Sequence, residues 1–218
     1  MLKINATGII IFFAVVALCI SAESLYFVRL EINMENKKGK VILFGGCPRA
    51  GKTTLAVRLV KSGKRFSKIS GDSLYGAIIE TDVDKAEFIK KVLENLIEDA
   101  EIYGINSVFD YCSYDFTLDD IDKLPLKDKL DMYFFGFPDI SAKEIQYNIK
   151  HYAEPIDWIY HCDDDYIEQV AKRIYYFNIK LKEWCNQYNY QFINTSVGKE
   201  RNIMLNSLYE KIINDCML

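Results

Sequence analysis

The fold is decided by the stretch Val41-Ile-Leu-Phe-Gly-Gly-Cys-Pro-Arg-Ala-Gly-Lys-Thr-Thr54, an apolar run that breaks into glycine. Gly46 and Gly51 have four residues between them and are followed by Lys and Thr, which matches the phosphate-binding loop pattern G-x-x-x-x-G-K-[ST]. Glycines let the backbone curl closely around a phosphate, and the helix that follows offers its N-terminal N–H groups to the same anion. An ordinary strand-to-helix turn is the alternative interpretation. The order of strand, loop and helix favours the phosphate-binding loop.

This pattern gives each loop residue an expected role toward a bound nucleotide. Lys52 is expected to reach the β and γ phosphates, and the Thr53 hydroxyl is expected to ligate Mg²⁺. The other loop positions expected to contact the nucleotide are Gly46, Cys47, Pro48, Arg49, Ala50, Gly51 and Thr54. The sequence therefore predicts a nucleoside triphosphate site, with ATP and Mg²⁺ as cofactors.

Length and composition limit the class of protein. The 218 residues suit one α/β domain, and half of them are apolar, which is enough for a full core. The net charge of −4 and the lack of a basic stripe argue against a nucleic-acid surface. Six cysteines form no C-x-x-C pair, and two histidines are too isolated for a zinc site. Because Cys47 lies inside the loop that should hold ATP, a reduced cytoplasmic setting is expected.

Residues 1–33 form an apolar extension for which three interpretations stay open. The run 4–22 carries no charge and is long enough to span a bilayer. It could be a cleaved secretory signal, although Ile20-Ser-Ala22 is a poor cleavage site. It could instead be a membrane anchor, and the positive-inside rule would then leave residues 34–218 tethered to the inner face of the membrane. In the third interpretation translation begins at Met34.

Strands and helices are predicted to alternate along residues 34–218. Strands are expected at 40–44, 66–70, 106–111, 131–135 and 190–194, and helices at 54–61, 82–103, 141–152, 163–187 and 200–215. Ser141 and Glu144 form a capping box, and Gly104 ends the long second helix. The apolar face of that helix is expected to be Phe88, Val92, Leu96 and Ala100. This alternation predicts a parallel sheet covered by helices.

Residues 40 to 218 resemble the P-loop small-molecule kinases, in a bacterial branch of the adenylate-kinase-like, shikimate-kinase-like and gluconate-kinase-like enzymes. The motifs that carry the resemblance are Gly46-Cys-Pro-Arg-Ala-Gly-Lys-Thr53, Ile69-Ser-Gly-Asp72, Val108-Phe-Asp110 and Phe192-Ile-Asn-Thr195. The first motif is specific for P-loop NTPases in general, and the others gain weight from their order. The resemblance implies a three-layer α/β fold with a five-stranded parallel sheet of order 2-3-1-4-5.

The same resemblance implies roles for four residues outside the loop. Asp110 matches the acid that supports the metal through water, the alternative being a strand-end turn. Asp72 matches the residue that orients or deprotonates the acceptor hydroxyl, the alternative being a helix N-cap or a turn aspartate. Arg173 lies where such kinases carry a lid arginine that stabilises transition-state charge, although a solvated helix face explains it as well. Arg201 lies where relatives line the adenine pocket.

The distribution of arginines bears on the acceptor. The chain has six arginines, and none falls between Arg65 and Arg173. Nucleoside monophosphate kinases hold the acceptor phosphate with arginine forks after the second strand. Here that segment carries acids such as Asp72, Glu80 and Asp82. The acceptor is therefore expected to be a neutral or cationic hydroxyl compound.

The predicted function is transfer of the γ-phosphoryl group of Mg-ATP to a hydroxyl of a small molecule. One alternative is a regulatory or membrane-associated P-loop ATPase module that binds nucleotide without such transfer, and a second is a nucleoside monophosphate kinase. A signalling GTPase is disfavoured because the sequence has no [NT]-K-x-D motif. A membrane partner is expected only if residues 1–33 are translated.

Overall fold

The computed structural model describes residues 38–112, 117–155, 157–196 and 199–216. The apolar extension 1–33, its candidate span 4–22 and Met34 lie outside these residues. Among the described residues, no helix combines the length and apolarity needed to cross a membrane.

Five parallel strands form the centre of the domain. They are β1 (Val41–Gly46), β2 (Phe66–Ser70), β3 (Asn106–Asp110), β4 (Leu130–Gly136) and β5 (Gln191–Asn194). Their order in the sheet is β2-β3-β1-β4-β5, and each neighbouring pair is parallel. The predicted fold class and strand order are confirmed.

Seven α-helices connect and surround the strands in the described part of the chain. They are α1 (Lys52–Lys61), α2 (Gly71–Ile78), α3 (Lys85–Tyr103), α4 (Leu118–Asp122), α5 (Ala142–Tyr152), α6 (Asp164–Tyr188) and α7 (Lys199–Asp215). Single 3₁₀ turns lie at Lys127–Lys129 and Trp158–His161. The capping box at Ser141 and the left-handed Gly104 after α3 are confirmed.

Two details of the helices after β2 differ from the sequence prediction. Helix α2 was not predicted, and α3 begins at Lys85 with the Asp84 side chain as its N-cap, rather than at residue 82. The buried face of α3 consists of Ile89, Leu93, Ile97 and Ala100. Phe88, Val92 and Leu96 lie beside that face and are only partly buried.

The arrangement of the sheet brings the carboxyl ends of all five strands to one edge. Strand β1 is buried along its whole length between β3 and β4, with Phe44 opposite Asp110 and Gly46 opposite Phe135. Ser70, at the end of β2, is also opposite Asp110. Open α/β sheets bind ligands outside the carboxyl ends of their strands. The phosphate-binding loop therefore leaves the middle of the sheet at the edge where a ligand is expected.

Candidate active site

The loop after β1 turns tightly against β4. Gly46 has a φ of +117°, and a Cβ atom there would lie 2.2 Å from the carbonyl oxygen of Phe135. The next N–H group, that of Cys47, donates to the same carbonyl at 2.9 Å. Gly51, the residue before α1, has a φ of +93°. Two of the pattern's glycines thus occupy backbone conformations that residues with a Cβ rarely adopt.

Lys52 is held inside this loop. Its side chain leaves the first turn of α1, is only 6% exposed, and donates from Nζ to the carbonyl oxygen of Cys47 at 2.7 Å. A buried ammonium group needs negative or dipolar partners, and here it has a loop carbonyl. The arrangement places a positive charge at the N-terminus of α1, where helix N–H groups also favour an anion.

Thr53 and Asp110 meet directly beside the loop. The Thr53 hydroxyl donates to Oδ2 of Asp110 at 2.6 Å, and the Nζ atom of Lys68 lies 3.8 Å from the same oxygen. Asp110 is buried, because β3 lies next to β1 in the sheet. Mg²⁺ in nucleotide sites typically combines one or two protein oxygens with phosphates and water. The hydroxyl and the carboxylate for which the sequence predicts a metal role thus lie together, and both are oxygen groups that could hold Mg²⁺. Lys68 is a neighbour that the sequence analysis missed.

A cavity of about 620 Å³ opens over the loop. The loop side is lined by Pro48, Arg49, Ala50, Gly51, Lys52, Thr53 and Thr54, and further lining comes from Thr195, Arg201 and side chains of α5 and α6. Arg201 contacts the loop, since its Nη2 atom donates to the carbonyl oxygen of Arg49 at 3.4 Å. The structure thus brings the predicted adenine-pocket arginine and most of the predicted loop residues to one cavity.

Arg49 is a loop residue whose side chain contacts a segment far away in the sequence. It has a left-handed φ of +62°, and its guanidinium contacts the connection between α5 and α6. Nη1 pairs with Oδ2 of Asp157 at 3.1 Å, and Nη2 donates to the carbonyl oxygen of Tyr152 at 2.8 Å. The pKa of Asp157 is lowered, first by the N–H group of Glu154 and then by the guanidinium. Nothing in the loop pattern points to Asp157.

Arg173 lies in a neighbouring cavity of about 310 Å³ rather than in the first one. The guanidinium is exposed on α6, with its carbon 5.9 Å from the centre of the Tyr166 ring. Both cavities are lined by Pro48, Arg49, Ile149, Asp157 and Ile174. The predicted lid arginine therefore lines the second cavity, which shares these five lining residues with the first.

Asp72 is exposed and does not line either cavity. It lies in the first turn of α2, and the N-cap of that helix is Ser70, whose hydroxyl accepts from the N–H group of Ser73 at 3.4 Å. The capping explanation for Asp72 is therefore wrong. Because Ser70 pairs with Asp110, Asp72 is placed at the same edge of the sheet as Asp110.

Cys47 is a packing residue of the loop. Its side chain is fully buried, and burial raises the pKa of the thiol far above its usual value, despite the nearby Lys52. None of the five cysteines in the described part of the chain forms a disulfide.

Asn178 of α6 is a buried polar residue that the sequence analysis missed. Its Oδ1 accepts from the N–H group of Phe137 at 2.6 Å, which fixes the chain leaving β4 above the cavity.

The chain resembles several solved structures at low sequence identity. A shikimate kinase from Bacteroides thetaiotaomicron is 16% identical over 82% of this chain and 99% of that chain, with a TM-score of 0.49. A shikimate kinase from Acinetobacter baumannii in complex with shikimate is 14% identical over 84% and 97%, with a TM-score of 0.47. A gluconokinase from Sinorhizobium meliloti 1021 is 14% identical over 83% and 99%, with a TM-score of 0.45. No protein-family model and no curated protein matches the sequence.

These neighbours are of the kinase classes whose motifs the sequence resembles. At such identities and TM-scores, the functional proposal rests on this chain's own loop, cavity and strand order. The loop geometry fits a nucleotide phosphate, since Lys52 is held within the loop at the N-terminus of α1, where helix N–H groups favour an anion. The Thr53 and Asp110 pair fits a divalent cation beside that phosphate.

Proposed function

We propose that the protein is an ATP-dependent phosphotransferase that moves the γ-phosphoryl group of Mg-ATP to a hydroxyl of a small molecule. The observation that carries this proposal is the buried Lys52 ammonium, held inside a glycine loop and next to the bonded pair of Thr53 and Asp110. Phosphoryl transfer depends mainly on positioning and charge neutralisation, and these are the two properties that such a site supplies.

Each residue in the proposal has a separate task. Lys52 neutralises charge on the phosphoryl group being transferred, and Thr53 with Asp110 holds Mg²⁺, with Asp110 acting through water. Arg201 lines the nucleotide cavity beside the loop, where it donates to the carbonyl oxygen of Arg49. Asp72 orients the acceptor hydroxyl or accepts its proton, because its place at the edge of the sheet is close in sequence to the strand end that pairs with Asp110.

The acceptor proposed for this site is a neutral or cationic hydroxyl compound. The segment from α2 to the start of α3 presents exposed acids, namely Asp72, Glu80, Asp82 and Asp84. Acids attract cations and repel phosphate, so this surface suits an acceptor without a phosphate group. A cytoplasmic location is part of the proposal, since it supplies ATP and keeps the thiols reduced.

The direct test is to incubate the purified chain with Mg-ATP and a library of hydroxyl metabolites and to measure ADP release. A neutral or cationic hydroxyl compound that stimulates ADP release and is recovered phosphorylated supports the proposal. A nucleoside monophosphate as the best acceptor would support the nucleoside monophosphate kinase instead.

Asp72→Asn tests the proposed role of that carboxylate. Transfer should be lost and ATP affinity should stay nearly unchanged, because Asp72 does not line the nucleotide cavity. Asp99→Asn is the matched control, since Asp99 is an exposed acid near the C-terminal end of α3, outside that acidic segment and outside both cavities. Equal activity of the two variants would contradict the role of Asp72.

The alternative is a P-loop module that binds ATP without transferring phosphate to a small molecule. One observation favours it, because Asp72 stands outside both cavities. In such a module Lys52→Ala should abolish ATP binding, whereas Asp72→Asn should change neither binding nor ATP hydrolysis. Loss of phosphoryl transfer in Asp72→Asn would therefore indicate the kinase, whereas unchanged ATP binding and hydrolysis would indicate the binding module.

A further inference from the structure

Arg49 occupies a backbone conformation that is unfavourable for an arginine. Its φ is +62°, in the left-handed region where glycine is common and other residues cost about 1–2 kcal/mol. In the described residues, the other non-glycine positions with positive φ are Arg65 and Asn189. A strained residue at a ligand site is a reason to ask what its side chain does.

The guanidinium of Arg49 ties the phosphate-binding loop to a distant segment. It is bonded to the carbonyl oxygen of Tyr152, at the end of α5, and to the carboxylate of Asp157, just before the 3₁₀ turn. These two contacts bridge 103 and 108 positions of the sequence. The loop is thereby fastened to the connection between α5 and α6.

The contact between Arg49 and Asp157 is accessible to a ligand. Their side chains are 33% and 38% exposed, and both residues line the two adjoining cavities. The planar guanidinium fork bonds to phosphate as well as to carboxylate, so a phosphate in the cavity can compete for it. Asp157 would keep one partner after such an exchange, because the same Oδ2 accepts from the N–H group of Glu154 at 3.0 Å.

We propose that Arg49 binds the γ-phosphate of ATP. When Mg-ATP enters the cavity, the guanidinium exchanges the Asp157 carboxylate for that phosphate. This inference rests on the proposed nucleotide site and adds a residue that distinguishes ATP from ADP. Before ATP binds, Asp157 holds the guanidinium, and this competition lowers the affinity for ATP. The exchange also releases one of the two bonds between the loop and the connection from α5 to α6.

The experiment measures equilibrium affinities for Mg-ATP, as a non-hydrolysable analogue, and for Mg-ADP by calorimetry on the full chain. Arg49→Gly removes the guanidinium and leaves a residue that adopts the observed φ without strain. A bond to a charged group contributes about 1.5–3 kcal/mol, so the affinity for the ATP analogue should fall about 10- to 100-fold. The affinity for Mg-ADP should change by less than about threefold, since ADP lacks the phosphate that Arg49 binds.

Asp157→Asn should have the opposite effect. A half-exposed ion pair is worth about 0.2–1 kcal/mol, so freeing the guanidinium should raise the affinity for the ATP analogue by up to about fivefold. The gain should be absent when Asp157→Asn is combined with Arg49→Gly, because there is then no guanidinium to release. This sign is one that a purely structural contact would not produce.

Arg65→Gly is the matched control for the loss of an arginine at positive φ. Arg65 has a φ of +55° and donates to the carbonyl oxygen of Tyr103, and it precedes β2, at the opposite edge of the sheet from the loop. Its replacement should leave both affinities unchanged. Lys52→Ala tests the nucleotide site itself and should abolish binding of both nucleotides.

Four outcomes would overturn the inference. Arg49→Gly could weaken ATP and ADP binding equally, which would mean that Arg49 only shapes the loop. Asp157→Asn could lower ATP affinity, or could act identically with and without Arg49. The role of Arg49 alone would be refuted if the unmodified protein bound both nucleotides, Lys52→Ala bound neither, and Arg49→Gly bound both with unaltered affinity. If the unmodified protein bound neither nucleotide, the proposed function itself would fail.

Discussion

Gly46→Ala is the substitution for which the structure predicts the clearest loss of stability. The added Cβ would lie 2.2 Å from the carbonyl oxygen and 2.7 Å from the nitrogen of Phe135. Both atoms belong to the backbone of β4, which pairs with β1 and β5 and therefore cannot swing aside as a flexible side chain could. The φ of +117° is a further cost for any residue with a Cβ.

The magnitude follows from these two terms. An unfavourable left-handed φ costs about 1–2 kcal/mol, and overpacking a close contact costs about 1–3 kcal/mol, so the free energy of unfolding should fall by about 2–5 kcal/mol. For a domain of this size each kcal/mol shifts Tm by about 2–4 °C, which gives a decrease of roughly 4–20 °C. Because Cys47 bonds to the same Phe135 carbonyl, displacement of β1 from β4 should also weaken nucleotide binding.

Gly76→Ala provides the matched control. Gly76 lies inside α2, and a Cβ there would meet no atom within 4 Å. Alanine is favoured over glycine in a helix by about 0.5–1 kcal/mol, so this variant should be slightly more stable than the original protein. Urea unfolding of the two variants, followed by circular dichroism, measures the difference. An unfolding midpoint for Gly46→Ala equal to that of the original protein would refute the steric reasoning.

Three other expected outcomes test neighbouring features. Lys68→Met should tighten Mg²⁺ binding, measured by magnesium titration of nucleotide affinity, because the ammonium 3.8 Å from Asp110 competes with the metal; weaker binding would contradict this. Burial raises the pKa of Cys185 to about 12, whereas the pKa of a thiol in the unfolded chain is about 8.5. Because the unfolded chain loses this proton first, the free energy of unfolding should decrease as the pH rises from about 8.5 to 10.5. That slope should be smaller in Cys185→Ala. Asn178→Leu should cost about 1–3 kcal/mol in urea unfolding, because it leaves the N–H group of Phe137 without its acceptor.

The features that sequence reasoning predicted correctly depend on short-range chemistry. The glycine turn between β1 and α1, the capping box at Ser141 and the glycine after α3 each need only a few neighbouring residues to form. The strand order came from resemblance to a known fold, and the paired strands confirm it. Sequence spacing could place these elements because their local geometry is the same in any surrounding structure.

The errors after β2 arise where tertiary packing decides between equal local alternatives. Helix α2 contains Gly71 and Gly76, which weaken the helical signal, and its burial of Tyr75 and Ile78 compensates. In α3 two adjacent rows are apolar at intervals of four residues, one starting at Phe88 and one at Ile89. Adjacent residues are about 100° apart around a helix, so the periodicity alone could not decide which row faces the sheet.

The contacts of Arg49 could not be predicted because the loop pattern constrains the backbone and leaves its x positions undefined. Gly46, Gly51, Lys52 and Thr53 are specified by the geometry of a bound phosphate, and these positions therefore carry the shared chemistry. An x position is free to carry a side chain that reaches elsewhere, and its partner depends on which segment the fold brings across the cavity. In this chain that partner is Asp157, 108 positions away, and no local pattern could indicate that pairing.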